Sequence, residues 1–270
     1  MSASFPERIV CLTEETTETL YLLGEDRRIV GISGFTVRPA RARREKPKVS
    51  AFTSAKIEKI VELRPDLVLG FSDLQADIAA ELIRAGIEVH VFNHRSVGEI
   101  LRMIATLGGM VGCGSKSEAL VAELEAGVER VRAAAARFPR RPRVYFEEWD
   151  VPQISGIRWV SELVGIAGGD DVFPELARES LGKNRIIADP LEVPRRSPDI
   201  IFGSWCGKKF QPATVVARAG WPDVPAVRDG QLHEIKSSII LQPGPAALTD
   251  GLRELHAHLA RWAGVNPSGA

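Results

Sequence analysis

The 270-residue chain is 44% apolar and 26% charged, with lysine plus arginine equal to aspartate plus glutamate at 35 each. That balance belongs to a soluble globular protein and excludes a disordered, fibrous or broadly basic nucleic-acid-binding chain; the one local basic run is VRPARARREKPK from Val37. Cys11, Cys113 and Cys206 form no CxxC pair, which argues against a disulfide framework and a structural zinc site, and no run of about 18 apolar residues exists to span a bilayer.

In chain order, the start MSASFPERIV lacks the basic and apolar regions of a secretory signal, so a cytoplasmic location is expected, with the periplasm as the alternative where a signal has been removed. Strands are predicted at Arg8–Leu12, Arg28–Ile32, Asp66–Gly70 and Ile87–Phe92, with helices between them at Glu14–Leu23, Ala55–Leu63 and Gln75–Ala85. Gly24 and Gly86 stand where C-terminal helix caps belong. SVGE at Ser96 and SKSE at Ser115 match capping boxes that open helices. A long helix is predicted from Lys116 to Arg137. At about 1.5 Å per residue it reaches roughly 33 Å, long enough for a spine joining two lobes, the alternative being an ordinary packing helix. Further strands are expected near Arg143–Glu147, Asp199–Gly203 and Gln231–Ile235, and helices near Trp159–Ala167 and Ala247–Ala263. Alternating strands and helices predict parallel sheets.

One phrase occurs twice. PDLVLGF begins at Pro65 and PDIIFGS at Pro198, while RIVCL from Arg8 and RVYFE from Arg143 open the two halves. The step from Pro65 to Pro198 nearly equals the step from Arg8 to Arg143, so two related lobes are expected. The predicted layout is a first α/β lobe at 1–114, a connecting helix at 115–138 and a second lobe at 139–270.

GGMVGCGSKS from Gly108 resembles a phosphate loop but fails as one, because Ser115 separates the last glycine from the lysine and no strand precedes it. No GxGxxG, GxSxG or HExxH is present, and His90, His94, His233, His256 and His258 follow no metal-ligand spacing. The loops after predicted strands carry aromatic residues: Phe35, Phe52 and Phe71 in the first lobe, Trp149 and Trp205 in the second, with Trp159 close by. Loops at the carboxyl ends of parallel strands are where such folds hold ligands, and aromatic faces suit a large, flat, partly apolar one. Arg38, Lys208 and Lys209 are candidate polar contacts, solvated side chains being the alternative. The competing chemistry is an enzyme with Cys206 as nucleophile and Lys208 or His94 beside it.

The segments RIVCLTEETTETLYLLGEDRRIVGIS, KPKVSAFTSAKIEKIVELRPDLVLG, GIRWVSELVGIAGGDDVFPE, WPDVPAVRDGQLHEI and LQPGPAALTDGL, with the spine helix, resemble the helical-backbone class of ABC-transporter substrate-binding proteins. That family serves uptake of cobalamin, haem and iron–siderophore complexes, and the cobalamin-binding branch is the nearer match. The resemblance implies two similar parallel-sheet lobes joined by one long helix, a ligand cleft between them, no catalysis and no cofactor. The expected ligand is a corrinoid or related bulky metal chelate, bound through Phe35, Arg38, Phe52, Phe71, Trp149, Ile154, Trp205, Cys206, Lys208, Ser237 and Ser238. It implies an ABC permease as partner, docked through one acid per lobe, where this chain offers Asp77 and Glu192. Neither acid matches the family cleanly, and SWCGKK from Ser204 has no counterpart in the ordinary cobalamin binder. These departures predict a relative that binds a ligand, a different small molecule included, without delivering it to a transporter.

Overall fold

The computed structural model describes residues 5–266. The chain divides into two compact units: the first reaches to His94 and takes Gly98–Leu124, and the second takes Arg95–Val97 and the chain from Glu125 on.

The first unit is built from β1 (Ile9–Cys11), α1 (Glu14–Leu22), β2 (Ile29–Ser33), α2 (Ala42–Glu45), β3 (Lys48–Ser50), α3 (Ile57–Glu62), β4 (Leu67–Phe71), α4 (Ala76–Arg84) and β5 (Val89–Phe92). Two longer helices follow, α5 (Val97–Met110) and α6 (Gly114–Ala135). The five strands are parallel in the order β3-β2-β1-β4-β5. Val10, Leu12, Val49, Ile60, Val68, Ile78 and Leu82 form a buried cluster on this sheet. A parallel sheet covered on both faces needs continuous apolar runs, which is why RIVCL and DLVLGF read as strands.

The second unit runs β6 (Arg143–Asp150), β7 (Gln153–Ser155), α7 (Arg158–Ala167), β8 (Asp170–Asp171), α8 (Glu192–Arg196), β9 (Ile200–Gly203), α9 (Pro212–Val216), α10 (Pro225–Arg228), β10 (Leu232–Glu234) and α11 (Ser237–Ile240). A π-helical turn at Ala247–Gly251 leads into α12 (Leu252–Trp262). Strands β10, β9, β6 and β8 pair in parallel, repeating the neighbour order β5-β4-β1-β2, while β7 folds back antiparallel on β6. Tyr145, Phe173, Ile201, Trp205 and Trp221 belong to its core.

The repeated Pro-Asp phrase has a structural role in both units. The Asp66 carboxylate accepts the backbone amides of Glu7 at 2.7 Å and Arg8 at 2.9 Å, and the Asp66 amide donates to the Arg8 carbonyl at 2.9 Å. In the second unit the Asp199 carboxylate accepts the Arg143 amide at 2.8 Å, and the Asp199 amide donates to the Arg143 carbonyl at 2.8 Å. Each aspartate thereby clamps the central strand pair at its entry, with Ile9 opposite Leu67 and Val144 opposite Ile200.

Most predicted elements fall within two residues of the observed ones, and Gly24 and Gly86 both take the left-handed conformation expected of helix caps. Helix α5 starts directly after Ser96, but α6 starts at Gly114, so Ser115 lies inside its first turn and the Cys113 carbonyl takes the first amides instead. One unbroken 22-residue helix carries the chain from one unit into the other, with the boundary inside it, between Leu124 and Glu125. Strands β3, β7 and β8 were not expected: each is two or three residues long and lies at a sheet edge or on a shared edge of β6.

Replacing Asp66 or Asp199 with alanine leaves backbone amides without their charged acceptor, and each substitution is expected to cost about 1–3 kcal/mol in urea unfolding. An unchanged midpoint for both variants would show that the clamp carries no stability.

Candidate functional site

In the first sheet β1 continues to β2 on one side while β4 lies on the other, so the strand order reverses at the β1/β4 pair. The carboxyl ends of strands at such a point form the usual ligand crevice of open α/β sheets. Five loops leave this edge, after Cys11, Ser33, Ser50, Phe71 and Phe92.

The candidate aromatic residues occupy these loops in different states. Phe35 is 57% exposed, Phe52 is half-buried, and Phe71 is buried with its ring edge-on to His94 at 5.0 Å. Phe71 is therefore a wall residue and not an open face. Arg38 pairs with Glu18 at 2.8 Å, and Arg43 donates to the Gly34 and Thr36 carbonyls at 2.8 and 2.9 Å. Part of the basic run thus serves to hold the Phe35 loop. Asp77 is exposed in the first turn of α4.

Sequence reasoning passed over the start of α1. Thr13, Glu14, Glu15, Thr16, Thr17, Glu18 and Thr19 are all buried, although none of them is apolar. The Thr13 hydroxyl donates to Glu15 Oε1 at 2.5 Å, and the threonine hydroxyls at 17 and 19 donate back to the carbonyls of Thr13 and Glu15. Burial pushes the Glu14 carboxyl up to about 8, and the neighbouring carboxylates of Glu15 and Glu18 add to it against the opposing Val37 amide. Burial likewise pushes Glu15 up to about 7, partly offset by the Thr13 hydroxyl. The available signal was LTEETTETL itself, three acids on one short helix directly after a buried strand.

In the second unit the stretch after β6 is a hairpin, not an irregular loop. The Trp149 indole N–H donates to the Val151 carbonyl at 2.8 Å across the turn. Lys208, from the loop after β9, bonds Asp150 at 2.5 Å and sits 4.3 Å over the Trp149 ring and 5.0 Å from Trp205. The structure therefore brings Trp149, Trp205 and Lys208 together. Ile154 is half-buried on β7, Cys206 is exposed, and Ser237 and Ser238 are half-buried in the first turn of α11. Trp159 is a core residue whose indole N–H donates to the Ile240 carbonyl at 2.9 Å, anchoring that turn.

Trp205, expected among the ligand contacts, is also tied into the core. It is 4% exposed and its indole N–H donates to Glu147 Oε1 at 3.0 Å, so it packs in the core. Glu147 is fully buried and also accepts the Tyr145 hydroxyl at 3.0 Å and two Arg218 nitrogens at 2.6 and 3.0 Å. This bidentate pair lies beneath the loop after β9 and fixes it. Glu192 is held by Arg196 at 2.9 Å and Arg195 at 3.2 Å on its own helix.

Three comparisons bear on this arrangement. The sequence profile described as periplasmic binding protein matches residues 9–239. A cobalamin-binding protein of Halobacterium salinarum is 30% identical over 192 residues, which is 69% of this chain and 47% of that protein. The chain thus spans about half the length of that relative. Among solved structures, a periplasmic vitamin B12 binding protein of Vibrio cholerae superimposes with a TM-score of 0.77 at 21% identity, covering 96% of this chain and 98% of that one. A periplasmic heme-binding protein from Roseiflexus sp. RS-1 does so with a TM-score of 0.79 at 23% identity, covering 94% and 99%.

Two expectations follow from the buried acids and the ion pair. Because the folded-state values of Glu14 and Glu15 lie above the ordinary 4.5, the folded chain keeps protons that the unfolded chain releases. Their contribution to stability is complete below about 4.5 and is lost as pH rises through about 7 and about 8. Glu14→Gln and Glu15→Gln should each flatten the stability decline over that window in urea titrations at stepped pH; a decline unchanged from wild type refutes the assignment. Arg218→Ala strands the Glu147 carboxylate and should cost about 3–5 kcal/mol, most of it recovered by Glu147→Gln combined with Arg218→Met. Full stability in Arg218→Ala would show that the pair is dispensable.

Proposed function

The chain belongs to the periplasmic binding protein family, and from that premise we propose that it is a non-catalytic binding protein for a bulky metal chelate, with a corrinoid as the leading ligand. The observation that carries this reading is the 30% identity to a protein named for cobalamin binding. A vitamin B12-binding protein of Vibrio parahaemolyticus, 24% identical over 90% of this chain, supports the same ligand class. The site chemistry agrees with it. The strand-end loops offer a largely exposed Phe35, a half-buried Phe52 and the indole face of Trp149, surfaces suited to a flat apolar macrocycle.

Arg38 in the first unit, and Ile154, Cys206, Lys208, Ser237 and Ser238 in the second, are the further proposed contacts, with Phe71 and Trp205 each a wall residue within its own unit. Nothing observed favours a cysteine-dependent reaction: Lys208, the cation nearest Cys206 in sequence, is engaged by Asp150. In place of the expected relative that does not deliver its ligand, the family membership supports delivery to an ABC permease as part of the proposal, with Asp77 exposed for docking and Glu192 required to exchange its arginine partners. The family's name favours a location outside the cytoplasmic membrane, and among the described residues no helix is long and apolar enough to cross a membrane.

Calorimetric titration with cyanocobalamin and, separately, hemin tests the reading. One-to-one saturation by cyanocobalamin with Kd on the order of micromolar or tighter is expected. Saturation by hemin alone would move the ligand to haem, and silence with both in a folded sample would overturn the chelate reading.

A further inference from the structure

The carboxyl edge of the first sheet contains a buried carboxamide that none of the sequence patterns singled out. Gln75 closes the short turn Asp73–Gln75 between β4 and α4 and is 1% exposed. Its Oε1 accepts the Phe71 amide at 2.9 Å. Its Nε2 donates to the Phe52 carbonyl at 2.8 Å and, more weakly, to the Leu12 carbonyl at 3.5 Å. One side chain thereby ties together the ends of β1, β3 and β4.

The surroundings are fitted to that side chain. A Cβ on Gly70 would come within 2.9 Å of Gln75 Oε1, so any side chain at that strand position would displace the carboxamide from its bonds. Ser72 takes a positive φ of 65° and its hydroxyl accepts the Leu74 amide at 3.2 Å, while its carbonyl accepts the Gln75 amide at 3.2 Å. The turn is thus closed by its own bonds, and the carboxamide is left for the neighbouring loops. A carboxamide offers a donor and an acceptor in one plane without carrying a charge.

We propose that Gln75 is the positioning residue of the first unit's ligand-binding edge, fixing the Phe52 and Phe71 loops together through its carboxamide. The inference rests on the binding reading above and adds to it the residue that sets those two rings. Leucine at 75 removes both the acceptor and the donor. Glutamate keeps the acceptor for Phe71 in either protonation state, but only when ionised at alkaline pH does it lose the donor to Phe52, which separates the two halves of the proposed role.

The test uses the full chain carrying Gln75→Leu, Gln75→Glu or Gly70→Ala, with amide hydrogen exchange and calorimetry on whichever of cyanocobalamin and hemin the wild type takes up. In Gln75→Leu, exchange at Phe71 and across residues 51–54 should quicken about tenfold or more, with affinity falling about 10- to 100-fold. In Gln75→Glu the Phe71 amide should stay protected at every pH, while exchange across residues 51–54, corrected for its intrinsic pH dependence, should quicken and affinity fall only as pH rises and the carboxyl ionises. Gly70→Ala, which displaces Oε1 from another residue, should reproduce the leucine pattern and decides the matter if Gln75→Leu does not fold. Uniformly faster exchange across the chain would indicate a merely structural role and overturn the proposal, as would unchanged exchange and affinity in Gln75→Leu. A wild type silent to both chelates would sink the binding reading, and the exchange split between the two Gln75 variants would still decide the positioning role.

Discussion

The carboxyl edge of each sheet depends on a clamp at the opposite end. An aspartate entering β4 or β9 grips the amide of the residue just before β1 or at the start of β6 and returns its own amide to the same residue's carbonyl. Strand β1 is only three residues long, so an error of register at its start would reach the loops undiminished. A slip of one residue would also turn every side chain to the other face of the sheet. The charged acceptor makes that slip costly, because it leaves a carboxylate and an amide unmatched. Repetition of the device at Asp199, in the place that Asp66 holds in the first unit, gives both units the same strand pairing before any loop is considered.

Beyond the clamp the units solve one problem in different ways. Polar groups must hold the strand-end loops while staying dry, and a buried polar group is costly unless bonded. The first unit uses neutral or proton-retaining groups: the Gln75 carboxamide, threonine hydroxyls and two glutamates whose burial keeps them protonated well above their ordinary range. The second uses a full charge pair, Glu147 with Arg218, surrounded by Tyr145 and Trp205 as additional donors. The first edge therefore responds to protons, whereas the second is locked by an ion pair with every carboxylate oxygen engaged.

How much of this was legible follows the same physics. Central strands were readable because burial on both faces demands unbroken apolar runs, and glycine caps were readable because few other residues tolerate their backbone. Strands β3 and β8 were not, since edge pairing of two or three residues leaves no periodicity. Trp205 shows the limit for sites: an aromatic residue after a strand suits a ligand face and a core equally, and its bond to the buried Glu147 is visible only in the folded chain. Gln75 was invisible for the opposite reason. A lone glutamine at a helix start carries no pattern, and its value lies in three backbone groups, two of them distant in sequence. The family resemblance supplied the architecture; the bonds that position its loops are visible only in the folded chain.

Aligning the two units by their clamps makes a further point. Gly70 and Gly203 occupy the same place in the repeat, each four residues after its clamping aspartate and in the last turns of a central strand's pairing. In both, a Cβ would collide with a side chain from downstream: Gln75 over Gly70 at 2.9 Å, and the Phe210 ring over Gly203. The repeated glycine is thus a seat, and the two units have put different occupants in it. A carboxamide in the first fixes loops by hydrogen bonds, whereas a phenyl ring in the second packs edge-on against Trp205 at 4.9 Å. The duplicated part of the sequence builds the seat and the strand register beneath it, so the chemistry that distinguishes one edge from the other resides in what fills the seat and the loops it holds.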